Sequence, residues 1–129
     1  MKLYDSGEKL TKGSLERFEK MLGKSLPSDY KDFMMKDNGG TPEEDLAFSF
    51  IDVTTNSTNN SDIRELFVFY EDEDNDNFDD IVRIYNSMVN ENLIPPFFLP
   101  IGDDSGGNPI CMNSVSYTHL RAHETGAYL

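Results

Sequence analysis

The sequence predicts an α+β domain, and three observations carry that reading. Two amphipathic helical segments come first, within residues 12–40. Strand-like segments follow, with one further helical segment inserted among them. The last two strand segments, 97–101 and 109–112, flank a glycine-rich turn and read as a hairpin with a long loop. Helices grouped ahead of strands give the α+β pattern.

Each element has its own justification. Leu15, Phe18 and Leu22 recur at helical spacing with charged residues between them, which predicts a helix near 12–22. Thr11 or Ser14 can cap its start and Gly23 can end it. Leu26-Pro27-Ser28-Asp29-Tyr30 opens a second helix, with Pro27 in the first turn, where a missing N–H has no intrahelical partner. Tyr30, Phe33 and Met34 form its apolar stripe, and Asn38-Gly39-Gly40 ends it. Residues 47–53 read as a strand. Residues 54–61, rich in Asn, Ser and Thr, read as a loop. Leu66-Phe67-Val68-Phe69-Tyr70 is a continuous apolar run and predicts a buried strand. An acidic loop follows, and Ile81, Ile84, Tyr85 and Met88 predict a third helix over about 79–91. Pro95 and Pro96 close it. Pro100 is expected only near a strand end or at an edge. Gly102, Gly106 and Gly107 are expected to supply backbone angles closed to other residues.

With 129 residues the chain has the length of one domain. Its 37% apolar and 12% aromatic content supports a core, which a disordered chain lacks. It has no apolar run of about 18 residues and no apolar leader segment, so the expectation is a cytoplasmic protein that does not span a membrane. Cys111 is the lone cysteine, which rules out an internal disulfide and fits a reducing compartment.

Charge is distributed unevenly. The net charge is −13 overall, but residues 1–36 carry +2 and residues 37–113 carry −15. Such a middle section repels phosphate backbones and anionic membranes, so neither is an expected partner. It attracts basic proteins. The bland alternative is that the acidity serves solubility alone.

Catalysis finds little support. Residues 1–113 contain no histidine, which removes the commonest general base and zinc ligand. Ser105 lies in a glycine-rich turn, but the spacing is wrong for a nucleophile elbow. Asp103 and Asp104 beside Gly102, Gly106 and Gly107 would repel a phosphate, and no lysine follows. Asp72, Asp74 and Asp76 have the first spacing of a calcium loop, yet Asn77 and Arg83 stand where glycine and glutamate are required. His119 and His123 lack a third ligand beyond Glu124. A carboxylate-based hydrolase is the low-weight third class, with no Trp present as a sugar platform. No catalytic, cofactor-binding or metal-binding residue is assigned, and no cofactor is expected.

Three pieces occur in order: Gly23-Lys24-Ser25-Leu26-Pro27-Ser28-Asp29-Tyr30-Lys31-Asp32-Phe33, then Asp37-Asn38-Gly39-Gly40-Thr41-Pro42, and much later Ile94-Pro95-Pro96-Phe97-Phe98-Leu99-Pro100-Ile101-Gly102-Asp103-Asp104-Ser105-Gly106-Gly107-Asn108-Pro109-Ile110-Cys111. Together they resemble the SUKH superfamily, in its branch of Smi/Knr-type cell-wall-synthesis regulators. The resemblance implies helices packed on a mostly antiparallel sheet with one inserted helix. It also implies a non-enzymatic protein. Bacterial members are mostly immunity proteins that bind and neutralise a toxin, often a nuclease; fungal members are interaction hubs. The absence of long disordered arms places this chain with the bacterial kind. The expected function is neutralisation of a basic nuclease-type toxin, by a chain that is a monomer. The alternative is a non-inhibitory scaffold module. On charge placement, the candidate partner-binding residues are Glu71, Asp72, Glu73, Asp74, Asp76, Asp79, Asp80, Asp103 and Asp104.

Residues 1–113 are read as a single SUKH-like domain and 114–129 as a C-terminal tail. The stretch 117–125 resembles translated adapter or vector sequence, so the expectation is a truncated native C-terminus. A genuine tail with a short helix is the alternative.

Overall fold

In the computed structural model, residues 2–44, 46–52 and 57–113 are described. Helix α1, Lys12–Leu22, starts as the sequence predicts, and both candidate caps take part. The Thr11 hydroxyl accepts from the Ser14 amide while the Ser14 hydroxyl accepts from the Thr11 amide. Gly23 ends the helix at φ 75°, a left-handed conformation that glycine adopts without strain. Helix α2, Ser28–Lys36, begins one residue later than predicted: Pro27 precedes it, and its carbonyl accepts the first helical bond from Lys31. The Glu19 carboxylate fixes the junction between these helices by accepting from the Leu26 amide at 2.7 Å. Helix α3, Ile81–Asn90, is capped by Asp80.

Among the described residues there are seven strands: β1 Leu3–Tyr4, β2 Thr41–Pro42, β3 Leu46–Asp52, β4 Ser57–Ile63, β5 Glu65–Leu66, β6 Phe98–Asp103 and β7 Pro109–Asn113. Three antiparallel sheets form, in the orders β1-β2, β3-β4 and β5-β6-β7. The predicted α+β architecture is present.

Two strand expectations need correction, and Pro100 stands at an edge as expected. Residues 57–61 are not loop; they pair with β3 in register from Asp52↔Ser57 to Leu46↔Ile63. Backbone pairing requires no apolar side chains, and Ser57, Thr58 and Asn60 are exposed, so β4 lacks the alternation by which a strand is recognised. Residues 53–56 lie outside the described residues, as does the tail 114–129. Pro100 stands inside β6, but β5 reaches only Gly102 and Asp103. Proline therefore has β7 alone as a neighbouring strand, beside a register shift between Pro100 and Gly102. Gly102 is required for space: a Cβ there would overlap the Glu65 carbonyl oxygen.

The apolar run after β5 is buried through Phe69, yet it leaves the ladder after Leu66. Its backbone is satisfied piece by piece. The Phe67 amide donates to the Ile101 carbonyl; the Val68 amide donates to the Asp79 carbonyl and the Val68 carbonyl accepts from the Ile81 amide. Phe69 is paired by a side chain. Asn38, 2% exposed, accepts from the Phe69 amide at 2.9 Å and donates to the Phe69 carbonyl at 3.0 Å and to the Glu8 carbonyl at 2.9 Å. Gly40 and Leu66 exchange both backbone bonds. This joins the β1-β2 pair to β5. Gly39 has φ 68°, and a Cβ there would overlap the Phe67 carbonyl oxygen.

The helices cover this framework. Phe18 of α1 stacks on Phe69 with centroids 4.5 Å apart and meets Tyr30 of α2 edge-on. Ile81 and Tyr85 of α3 join Phe98, Leu99, Ile101, Ile110 and Met112 in the same core. Cys111 is buried there, and burial pushes its thiol up to about 12.

Asn38→Ala leaves both Phe69 backbone groups buried without this partner. It is expected to cost about 2–4 kcal/mol, read as a lower urea midpoint at unchanged m-value. Asn38→Asp should not rescue it at pH 7, because a carboxylate would face two carbonyls.

Candidate protein-interaction surface

The acidic loop between Tyr70 and α3 is built by its own polar groups. The Val68 amide donates to the Asp79 carbonyl, and the Tyr70 hydroxyl donates to the Asp79 carboxylate at 2.7 Å. Asp72 accepts from the Asp74 amide at 2.9 Å, turning the chain. The Asn75 amide group donates to the Asp72 carbonyl and to the Asp80 carboxylate, at 2.6 and 2.8 Å. Arg83 reaches back to the Asn77 carbonyl. The Asn and Asp residues thus hold the loop to the start of α3.

The nine predicted carboxylates separate by what they touch. Asp80 is buried and accepts from the Val82 and Arg83 amides as the helix cap. Asp79 is bound to Tyr70. Glu71 is held below the ordinary carboxylate range by the Ser14 hydroxyl and by Arg17, which lies 3.0 Å away. Asp103 is 9% exposed and paired with Arg64. Asp104 shapes the β6–β7 turn by accepting from the Gly106 and Asn108 amides at 2.9 and 2.8 Å. Asp72 serves its own turn. Glu73, Asp74 and Asp76 remain: all three are exposed, and none is in an ion pair among the described residues.

Beside them lies a groove of about 480 Å³ between α1 and α3, lined by Met21, Glu73, Val82, Arg83, Asn86 and Ser87. Phe78, in the same loop, is 80% exposed. Sequence reasoning did not single it out, although one aromatic among acids was a readable signal. Ser105 is held by Asp62, which accepts from its amide and hydroxyl. Among the described residues, no three His, Cys, Asp or Glu residues come together in a metal-binding arrangement, and no helix is long and apolar enough to cross a membrane.

A second acidic group connects the loop to the hairpin. Glu65 of β5 sits opposite Asp103 across the sheet. Burial raises its pKa, and the charges of Asp103 and Asp79 raise it further against the opposing pull of Arg64. Asp79 and Asp103 thus both act on Glu65.

The folded state therefore binds the Glu65 proton more tightly than the unfolded chain does. The stabilisation this gives is present at low pH and is lost as pH rises through the raised pKa. Glu65→Gln is expected to raise the melting temperature at pH 7. The gain should vanish below the ordinary carboxylate range, as read by thermal melts across pH.

Comparison with known families places this geometry. The model of the SMI1 / KNR4 family (SUKH-1) matches residues 9–126. No curated protein and no solved structure matches the chain.

Proposed function

The chain belongs to the SMI1 / KNR4 family (SUKH-1), and from that premise we propose that it is an immunity protein that binds and neutralises a basic protein toxin of nuclease type. The family includes immunity proteins and Smi1/Knr4-like regulators, is generally non-catalytic, and acts through protein–protein interaction.

One observation carries the reading: Glu73, Asp74 and Asp76 project from a loop whose other polar groups are already engaged. A nuclease holds its substrate in a basic cleft. Carboxylates offered on a pre-shaped loop can occupy such a cleft and exclude the phosphates. Phe78 adds an exposed aromatic of the kind that anchors interfaces. Electrostatic steering makes association fast and salt-sensitive.

The test is growth rescue. The chain is co-expressed with basic nuclease toxin domains, including any encoded beside its own gene. Rescue from one toxin, with a one-to-one complex, is the expected result. A well-expressed chain that rescues none, or that binds several partners weakly, would replace neutralisation with scaffolding. The triple variant Glu73→Gln, Asp74→Asn, Asp76→Asn should slow association with the rescued toxin about tenfold at low salt. Far-UV circular dichroism should be unchanged, since none of these side chains caps a helix. Unchanged association would move the docking surface off this loop.

A further inference from the structure

Asn38-Gly39 is the sole Asn-Gly step among the eleven asparagines of the chain. Glycine sets no side chain beside its own amide nitrogen, and its backbone turns freely. In an open chain that nitrogen can therefore reach the amide carbon of the preceding asparagine. The residue that joins α2 to the apolar run is thus also the most reactive asparagine in the sequence.

The folded protein holds both reacting groups. The Asn38 side chain is buried; its Nδ2 donates to the Glu8 and Phe69 carbonyls at 2.9 and 3.0 Å, and its Oδ1 accepts from the Phe69 amide at 2.9 Å. The Gly39 amide donates to the Asp37 carbonyl at 2.9 Å. On the far side of the step, the Ser6 hydroxyl donates to the Gly39 carbonyl at 2.7 Å and the Gly40 amide to the Leu66 carbonyl at 2.9 Å. Gly7 closes over the side chain so tightly that a Cβ there would lie 2.7 Å from Asn38 Nδ2. Turning the Asn38 amide carbon toward the Gly39 nitrogen breaks all three side-chain bonds.

We propose that Asn38 is a deamidation site, closed by the fold and exposed when this junction opens. The Gly39 nitrogen loses its proton to solvent base and attacks the Asn38 side-chain carbonyl carbon. A C–N bond forms, the bond to Nδ2 breaks, and that nitrogen leaves as ammonia with a proton from water. Water then opens the cyclic imide at either carbonyl, giving aspartate or isoaspartate.

Neither product restores the junction. Aspartate at 38 turns a carboxylate on the Glu8 and Phe69 carbonyls, where two donors stood. Isoaspartate lengthens the main chain by one carbon beside Gly39, which already passes too close to the Phe67 carbonyl oxygen to admit a Cβ. Opening is reversible, but the chemistry that follows it is not, so the junction limits the lifetime of the folded chain.

The experiment incubates the full chain at pH 8, folded and in guanidinium chloride, and follows deamidation at each asparagine by peptide mass spectrometry. In denaturant Asn38 should be the fastest of the eleven; any faster site overturns the proposal. Folding should slow Asn38 at least about a hundredfold, because the junction must open first. A smaller effect overturns the proposal. A partly deamidated sample is then brought to the urea midpoint of the unmodified protein and given a short proteolytic pulse. About half of the unmodified chains should survive, against under about a tenth of those modified at position 38. Higher survival of the modified chains shows that the products refold, and overturns it equally.

Discussion

The fold depends on one side chain that behaves as backbone. Asn38 offers an amide to Phe69 and takes over the pairing that a neighbouring strand would supply. Phe69 can therefore enter the core, where it stacks on Phe18, at a point where the β5 ladder has ended. The same Asn38 side-chain amide donates to the Glu8 carbonyl, and the Asn38 backbone carbonyl accepts from the Gly7 amide. Four chain segments meet at this position: the N-terminal strand's exit, the end of α2, the apolar run and, through Phe18, helix α1. Glycine follows at 39 and 40 because a Cβ at the first would overlap the Phe67 carbonyl and one at the second would overlap Ser6 and the Tyr4 carbonyl.

The charge pattern reads differently once this framework is in place. The acidic section is not a uniform cloud. Asp80 caps a helix, Asp104 closes a turn, Asp103 meets Arg64, and Glu71 ties the loop to α1 through Arg17. These acids are consumed by folding, and each does work that a neutral side chain of similar shape would do less well. Glu65 is the exception, a carboxylate whose surroundings oppose its charge. Within the loop, Glu73, Asp74 and Asp76 are exposed and outside any ion pair among the described residues.

Much of the fold was legible because its signals were local. Apolar spacing located all three helices, and Thr11, Ser14 and Gly23 marked the ends of the first. The 98–113 hairpin was visible from its flanking apolar residues and its turn. What escaped was non-local. Strand β4 is polar and owes its form to pairing with β3. The 66–70 run reads as a buried strand and is buried through Phe69, but Phe69 pairs with Asn38, 31 residues away, and Leu66 with Gly40, 26 away. The candidate surface was half legible for the same reason. Composition located the acids, whereas the split between engaged and free carboxylates depends on Arg17, Tyr70, Asn75 and Arg64, whose approach no spacing rule encodes.

The free carboxylates sit on a loop that is already shaped, and that arrangement has an energetic consequence. Like charges held close repel one another, and a chain free to move would spread them. Asn75 prevents this by bonding to Asp72 on one side and Asp80 on the other. On the proposed reading, a basic partner would meet this loop already shaped. Because the loop does not have to be ordered at that moment, less of the attraction is lost to entropy. Asn and Asp bonds of this kind also shape ordinary solvated loops. The proposed docking role therefore rests on the exposed charge of Glu73, Asp74 and Asp76, carried on a loop whose shape is already fixed.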